Sequence, residues 1–250
     1  MDHIVANLKR VQTRLAEAAQ RVGRAPDQVV LVAVTKTHPL SAVQSAYEGG
    51  VRHFGENRVE EGVPKMAAFN DWLRAAGSGE SEPATWHMVG HVQHRQAADA
   101  MMFDLVHSLD SLRLAERLER LAAPLAQPVR LLLECNVSGE ASKYGFPLSD
   151  WQRQREVREE FFGVVHAISR LPHLELRGLM TMAPFVPDPA QARPVCAALR
   201  ALRDALREEF PALPWTHLSM GMTDDFEVAI EEGATMVRIG RAIFGESGRQ

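Results

Sequence analysis

The sequence predicts an α/β fold, a closed (β/α)8 TIM barrel with one extra helix at its N-terminus. Three observations lead there. Strand-like apolar runs alternate strictly with amphipathic helical runs. Eight such strand–helix units can be traced along the chain. A length of 250 residues, 46% of them hydrophobic, suits one barrel with one well-buried core. A single domain over residues 1–250 is expected, because no linker, low-complexity tract or further repeat interrupts the alternation. A doubly wound open sheet is the competing architecture. Against it, the first strand–helix turn, Thr35-Lys-Thr-His-Pro39, has no glycine-rich phosphate fingerprint.

The elements follow in order. From Asp2 to Arg21 the residues Ile4, Leu8, Val11, Leu15 and Ala18 recur at helical spacing, with Val22 continuing the stripe. Val29 to Thr35 is a continuous β-branched run without polar alternation, as in a strand buried on both faces. Ser41 to Tyr47 reads as a helix ended by Gly49-Gly50, and Arg52 to Gly55 as a short strand. Val59, Val63, Met66, Phe69 and Leu73 mark a helix, and Gly77 to Pro83 a surface loop. Trp86 to Val89 is a strand, Gln93 to Ala100 a short helix, Leu105 to His107 a strand and Leu112 to Ala122 a helix. Strands over 129–136, 174–180, 216–220 and 235–239 alternate with helices over 151–168, around Cys196 to Phe210, and over 224–231.

Composition narrows the function class. A net charge of -4 argues against a generally basic nucleic-acid binder. No apolar run approaches the ~20 residues of a membrane span, and Met1 to Arg10 has no apolar leader core. Cys135 and Cys196 lie in apolar segments and form no disulfide framework, so a cytoplasmic location is expected. The 28 basic residues include only four lysines, Lys9, Lys36, Lys65 and Lys143, so a lysine in an apolar setting stands out.

In a barrel the chemistry sits just beyond the C-terminal ends of the strands. Lys36 ends the first, apolar strand; partial desolvation there would lower its pKa, and a neutral amine attacks aldehydes to form Schiff bases. The bland alternative is a lysine that reaches to the rim or pairs with an acid. Loops after the seventh and eighth strands carry Ser219-Met-Gly-Met222 and Ile239-Gly-Arg-Ala-Ile-Phe244. In barrels these two loops and a following short helix form the usual phosphate cradle, with Ser219 as a hydroxyl donor and Gly221 and Gly240 permitting close backbone approach. Either glycine alone would equally serve a tight turn. An amine and a phosphate cradle at one mouth suggest pyridoxal 5'-phosphate. Arg238, between apolar neighbours in the last strand, then suits the pyridine nitrogen, an alternative being an internal salt bridge. His87, His91 and His94 straddle a strand and a loop with no cysteine or carboxylate among them, so no metal site is expected. Met180, Met182, Met220 and Met222 read as core or pocket lining, and Arg153 to Glu160 as a solvated helix face.

The chain resembles the YggS/PROSC family of pyridoxal-phosphate-binding proteins, which are similar to the barrel domain of alanine racemase standing alone. The resemblance runs essentially end to end. It is carried by Leu31-Val-Ala-Val-Thr-Lys-Thr37, His53-Phe-Gly-Glu-Asn57, and Trp86-His-Met-Val-Gly90 with Gln93. It continues through Asn136-Val-Ser-Gly-Glu-Ala-Ser-Lys143, Arg177-Gly-Leu-Met180, Leu218-Ser-Met-Gly-Met-Thr-Asp-Asp225, Met236-Val-Arg-Ile-Gly240 and Ala242-Ile-Phe-Gly245. The resemblance implies that Lys36 holds the cofactor as a Schiff base and that Asn57 lies beside it. It also implies that Ser219, Gly240 and nearby backbone hold the phosphate and that Arg238 faces the ring nitrogen. This chain departs at Arg95-Gln96, where the family usually has Asn-Lys, and at Arg241, where many members have Thr or Ser.

Two classes of function remain, carrier and enzyme. A racemase of this barrel type needs a second base, usually a tyrosine from an additional β domain and a partner subunit. This chain ends after the eighth unit, and its two tyrosines are Tyr47, in a helix, and Tyr144, in the loop after the fifth strand. Arg238 stays protonated and holds the ring nitrogen unprotonated, a weaker electron sink. The expectation is a monomeric, non-enzymatic carrier that buffers or delivers the cofactor, with pyridoxal-phosphate-dependent apoenzymes as its partners and neither nucleic acid nor membrane among them. A racemase or related enzyme is one alternative. An aldolase-like barrel using Lys36 for another Schiff base is a second.

Overall fold

A computed structural model describes residues 2–75 and 82–245. Most of the surface loop expected over 77–83 falls outside the described residues. The strands are β1 (Val30–Val34), β2 (His53–Glu56), β3 (Thr85–Met88), β4 (Leu105–Leu109), β5 (Val129–Asn136), β6 (Phe146–Pro147), β7 (Leu174–Met180), β8 (His217–Ser219) and β9 (Met236–Ile239). They run in the order β4-β3-β2-β1-β9-β8-β7-β5, and β4 pairs with β5 to close the ring. Every pairing is parallel, so the expected eight-stranded barrel is present. The two-residue β6 was not anticipated. It pairs with Cys135 and Asn136 at the end of β5 and stands outside the ring.

The helices are α1 (Asp2–Arg21), α2 (Leu40–Glu48), α3 (Val59–Ala75), α4 (Ala97–Ala100), α5 (Leu112–Ala122), α6 (Arg155–Ser169), α7 (Arg193–Glu209), α8 (Phe226–Glu231) and α9 (Arg241–Phe244). Several expected bounds move: the short helix expected from Gln93 to Ala100 is α-helical over Ala97–Ala100 after a 3-10 turn, that expected over 224–231 begins at Phe226, and two further shifts have clear local reasons. The helix expected from Trp151 begins at Arg155, because Gln154 is extended and residues 150–154 form a turn on the Asp150 carbonyl. Val22 lies past the end of α1 and is exposed, since Gly23 at φ 68° turns the chain away from the helical stripe. The extra helix α1 buries Ile4, Leu8, Val11, Leu15 and Ala18 and packs on α8 and α9. Asn7 donates to the Ile243 carbonyl, and Arg14 and Arg21 pair with Glu227 and Glu231.

Strand residues alternate between two unlike environments. Outward side chains such as Ala33, Phe54, Trp86, Val106, Leu131, Leu133, Leu179, Leu218 and Val237 join the helices in one large core. The inward set includes only a small apolar group, Leu105, Leu132, Met180 and Met236. Beside Val32, the interior also buries the polar His87, His107, Glu134, Ser219 and Arg238. Strand closeness is extreme at Gly178 (φ 154°), where an added Cβ would lie 1.9 Å from the His217 carbonyl oxygen.

The turn after β1 rests on a buried polar cluster. Thr35 Oγ1 donates to Glu56 Oε1 at 2.5 Å. Lys65 Nζ reaches Glu56 Oε1 at 2.7 Å, Glu61 Oε1 at 2.9 Å and the Thr35 carbonyl at 2.9 Å. Glu61 Oε1 also accepts from the Thr37 amide at 2.5 Å. These bonds hold Thr37 at φ 64°, an uncommon conformation for a β-branched residue. Burial pushes the Glu56 carboxyl above its usual range, while Lys65 and Thr35 pull it back.

Two stability outcomes follow. Lys65→Met leaves Glu56 buried without its cation and is expected to cost about 3–5 kcal/mol; chemical denaturation measures it, and a loss under ~1 kcal/mol would refute the anchoring role. Gly178→Ala drives a methyl into the β8 backbone and is expected to cost about 3 kcal/mol, read as a lowered midpoint in thermal unfolding.

Candidate ligand site at the barrel mouth

The turns after β1, β8 and β9 meet on one side of the mouth. An added Cβ on Gly240 would lie 3.1 Å from the Val34 carbonyl, which places the turn after β9 against the end of β1. The rings of His38 and Phe244 lie 5.0 Å apart across the same seam. The Arg238 amide donates to the Gly221 carbonyl at 2.9 Å, joining the turn after β8 to β9. Gly221 has φ 94°, and a Cβ there would strike Ala229 and Phe226 at 2.6 and 2.9 Å. The Asp225 carboxylate closes that turn by accepting from the Met222 amide at 2.6 Å.

Asn57 follows β2, the strand that pairs with β1 beside this seam. It is half-buried, and its carbonyl presses on Gly90 so closely that a Cβ at Gly90 would overlap it at 2.1 Å. Thus Lys36, Asn57, Ser219, Gly221, Arg238 and Gly240 all lie at strand ends or in turns at the C-terminal end of the barrel. Lys36 does not match the expected environment. It is exposed in the turn rather than desolvated, because Thr37 turns the chain outward right after β1. The other two lysines near the mouth are committed: Lys65 to the cluster beneath the turn, and Lys143 to Glu140 and the Met182 carbonyl.

Arg238 is buried and holds the centre of the site. Nη1 donates to Ser219 Oγ at 2.6 Å and Nη2 to the Thr181 carbonyl at 2.8 Å. Among the described residues no carboxylate is within ion-pair distance of it, so the internal salt bridge considered from sequence is not formed. Burial lowers its pKa to about 10, against the pull of Asp225 and Glu134. An interior cation without a counter-ion fits an electron-rich ring nitrogen or another anionic ligand atom. Glu134, in β5, is buried with Oε2 unpartnered, and burial together with the Asp110 charge raises its carboxyl to about 7. The donor set therefore fits pyridoxal phosphate: an exposed amine at the rim, an interior guanidinium with no carboxylate in ion-pair range among the described residues, and a serine hydroxyl bonded to that guanidinium.

Ser219 is placed deeper than expected. Its Oγ is fully buried, bonded to Arg238 and, at 2.9 Å, to His107 Nδ1. His107, Thr181 and Glu134 were not singled out from sequence. The signal was available at His107 and Glu134, polar residues inside otherwise apolar strands. The three histidines weighed for a metal separate: His87 points into the barrel, His94 is exposed, and His91 stacks on Tyr144 with ring centroids 3.8 Å apart. His91 Nδ1 lies 3.1 Å from Asp110 Oδ2 but out of hydrogen-bond alignment. At the departures from the resemblance, Gln96 donates to Glu60 at 2.5 Å, Arg95 donates to Gln93, and Arg241 pairs with Asp224.

Residues 4–248 match the alanine racemase N-terminal domain family. A pyridoxal phosphate homeostasis protein of Pseudomonas aeruginosa is 40% identical over 247 residues, covering 98% of this chain and 96% of its own. PipY of Synechococcus elongatus PCC7942, a structure with pyridoxal phosphate bound, is 36% identical with a TM-score of 0.75, covering 94% of this chain and 100% of that one. A crystal structure of an unknown protein from Bifidobacterium adolescentis superposes with a TM-score of 0.85 at 34% identity, over 97% of this chain and 95% of that one. The barrel, the mouth with its unpaired Arg238 and these full-length likenesses agree: the chain belongs to the alanine racemase N-terminal domain family, in its branch of pyridoxal phosphate homeostasis proteins.

Proposed function

We propose that this protein binds pyridoxal 5'-phosphate reversibly and serves its homeostasis, as a carrier rather than an enzyme. The observation that carries the reading is Arg238, a buried guanidinium whose partners among the described residues are neutral oxygens, at the same mouth as the exposed Lys36. Lys36 supplies the amine for a Schiff base. Arg238 faces the ring nitrogen, Asn57 flanks the ring, and Ser219, Gly221 and Gly240 line the phosphate end. When bound, the cofactor supplies an aldehyde that condenses reversibly with amines, and holding it on Lys36 keeps the free aldehyde low. Exposure of Lys36 favours exchange, since water and competing amines reach the linkage.

The Pseudomonas aeruginosa relative is described as a homeostasis protein, which supports a non-enzymatic role. Tyr47 is buried against α3 and its hydroxyl donates to the Glu82 carbonyl, far from the mouth turns. Tyr144 is 55% exposed and stacked on His91, which is the one observation favouring a second, enzymatic reading. Among the described residues no helix is long and apolar enough to cross a membrane, and both cysteines are buried free thiols. Buried free thiols suit a reducing compartment, and we take the protein to be a cytoplasmic, single-domain monomer that hands the cofactor to apoenzymes.

Titration with pyridoxal phosphate is expected to give a Schiff-base absorbance band in the parent that is absent in Lys36→Ala; a band surviving in that variant would remove Lys36 from its role. Arg238→Gln loses a charge-assisted bond worth about 1.5–3 kcal/mol, hence about 10–100-fold in Kd. Unchanged affinity would place the ring elsewhere. Exchange of the α-hydrogen of added alanine is expected to be absent; exchange lost in Tyr144→Phe would establish the enzymatic reading instead.

A further inference from the structure

The barrel interior holds a continuous chain of hydrogen bonds that ends on the candidate site. His53 Nδ1 lies 3.0 Å from His87 Nε2. His87 Nδ1 lies 2.9 Å from His107 Nε2, and His107 Nδ1 lies 2.9 Å from Ser219 Oγ. Arg238 then donates to Ser219 Oγ. The chain climbs from the first residue of β2 through β3 and β4 and crosses the lumen to β8, which does not neighbour β4 in the ring. His53 is half-buried at the lower end; His87, His107 and Ser219 are closed off from solvent.

Each neutral imidazole has one donor and one acceptor nitrogen. Burial keeps the interior rings neutral, with His87 near 3 and His107 well below its usual value. The whole chain therefore has only two consistent directions. In the first, the Ser219 hydroxyl donates to His107, and every histidine carries its hydrogen on Nε2. In the second, every histidine carries its hydrogen on Nδ1 and His107 donates to Ser219. Ser219 Oγ then accepts from both His107 and Arg238, and its own hydrogen is released toward the mouth. Only the second direction lets Ser219 donate to an anionic oxygen.

We propose that His53, His87 and His107 are positioning residues that set the direction of the Ser219 hydroxyl, so that an anionic ligand at the mouth reverses the chain and exposes the His53 Nε2 lone pair at the opposite end of the barrel. The inference deepens the reading given above and rests on it. Binding and protonation of His53 then assist each other. Protonated His53 donates through Nδ1 and selects the direction the ligand needs, so affinity gains a contribution as pH falls through the His53 pKa. The groups facing His53 are His87 from β3, Asp104 ahead of β4 and His217 from β8, with Arg177 of β7 acting on His217. His107 faces His87, His217 and Arg238. Burial lowers the His53 pKa and Asp104 opposes that shift.

Nitrogen-15 NMR of the histidine rings in the full chain tests this, with pyridoxal phosphate and, in parallel, pyridoxal lacking the phosphate. Pyridoxal phosphate is expected to move the hydrogen of His53, His87 and His107 from Nε2 to Nδ1 together, and pyridoxal is not. In His53→Phe, the extra affinity for pyridoxal phosphate at pH 5.5 over pH 8 is expected to shrink several-fold relative to the parent, while the Schiff-base band persists. A band in the parent with no change at His53 would overturn the relay and leave the binding function standing. Absence of any band would overturn the binding function, and the relay with it.

Discussion

A cation sealed in the barrel, with no carboxylate in ion-pair range among the described residues, is the constraint around which this molecule is arranged. Arg238 keeps its charge because burial lowers its pKa only to about 10, and it donates to the neutral oxygens of Ser219 and Thr181. Removing a charge from water costs several kcal/mol unless hydrogen bonds and nearby dipoles compensate. Here the compensation is spread over the ends of β7, β8 and β9, which is why those strands end in turns of fixed shape. Gly221 and Asp225 shape one, and the amide of Arg238 binds that turn back to its own strand.

The polar interior also explains how the barrel divides its labour. Hydrophobic burial lies between the strands and the helices, where the large core sits, and very little lies inside the ring. Interior positions are therefore released from packing the fold and free to carry hydrogen bonds. The price is geometric precision, since every interior polar group has to find a partner. Glu134 keeps one buried oxygen without a partner among the described residues. Burial raises its carboxyl to about 7.

Much of this was legible in the residues. Alternating β-branched runs and helical stripes gave all eight barrel strands, and α5 fell on its expected bounds, because Ser111 caps it with a side-chain bond and its apolar stripe is unambiguous. Lys36 and Ser219 stood out as polar groups where a strand ends, and Arg238 as a charge between apolar neighbours inside the last strand. What escaped depended on contacts distant in sequence. Ser219 and His107 are 112 positions apart, and nothing local says that they bond. Lys36 was misjudged in its solvation because the direction of its turn is decided by Glu61 and Lys65 on α3, through the Thr37 amide. The strand β6 escaped because two residues carry no periodicity.

The seat of α1 has a consequence for how the protein is made. This first helix lies against α8 and α9, with Asn7 bonded to the carbonyl of Ile243, 236 positions away. During synthesis it emerges well before its partners, which follow more than two hundred positions later. At about 5–20 residues per second, its apolar stripe waits on the order of ten seconds or more with nothing to cover it. Ring closure, the burial of Arg238 in β9 and the docking of α1 therefore belong to the final moments of folding, so a nascent chain stalled before β9 would present both an open barrel edge and an unclaimed helix face to the chaperones around it.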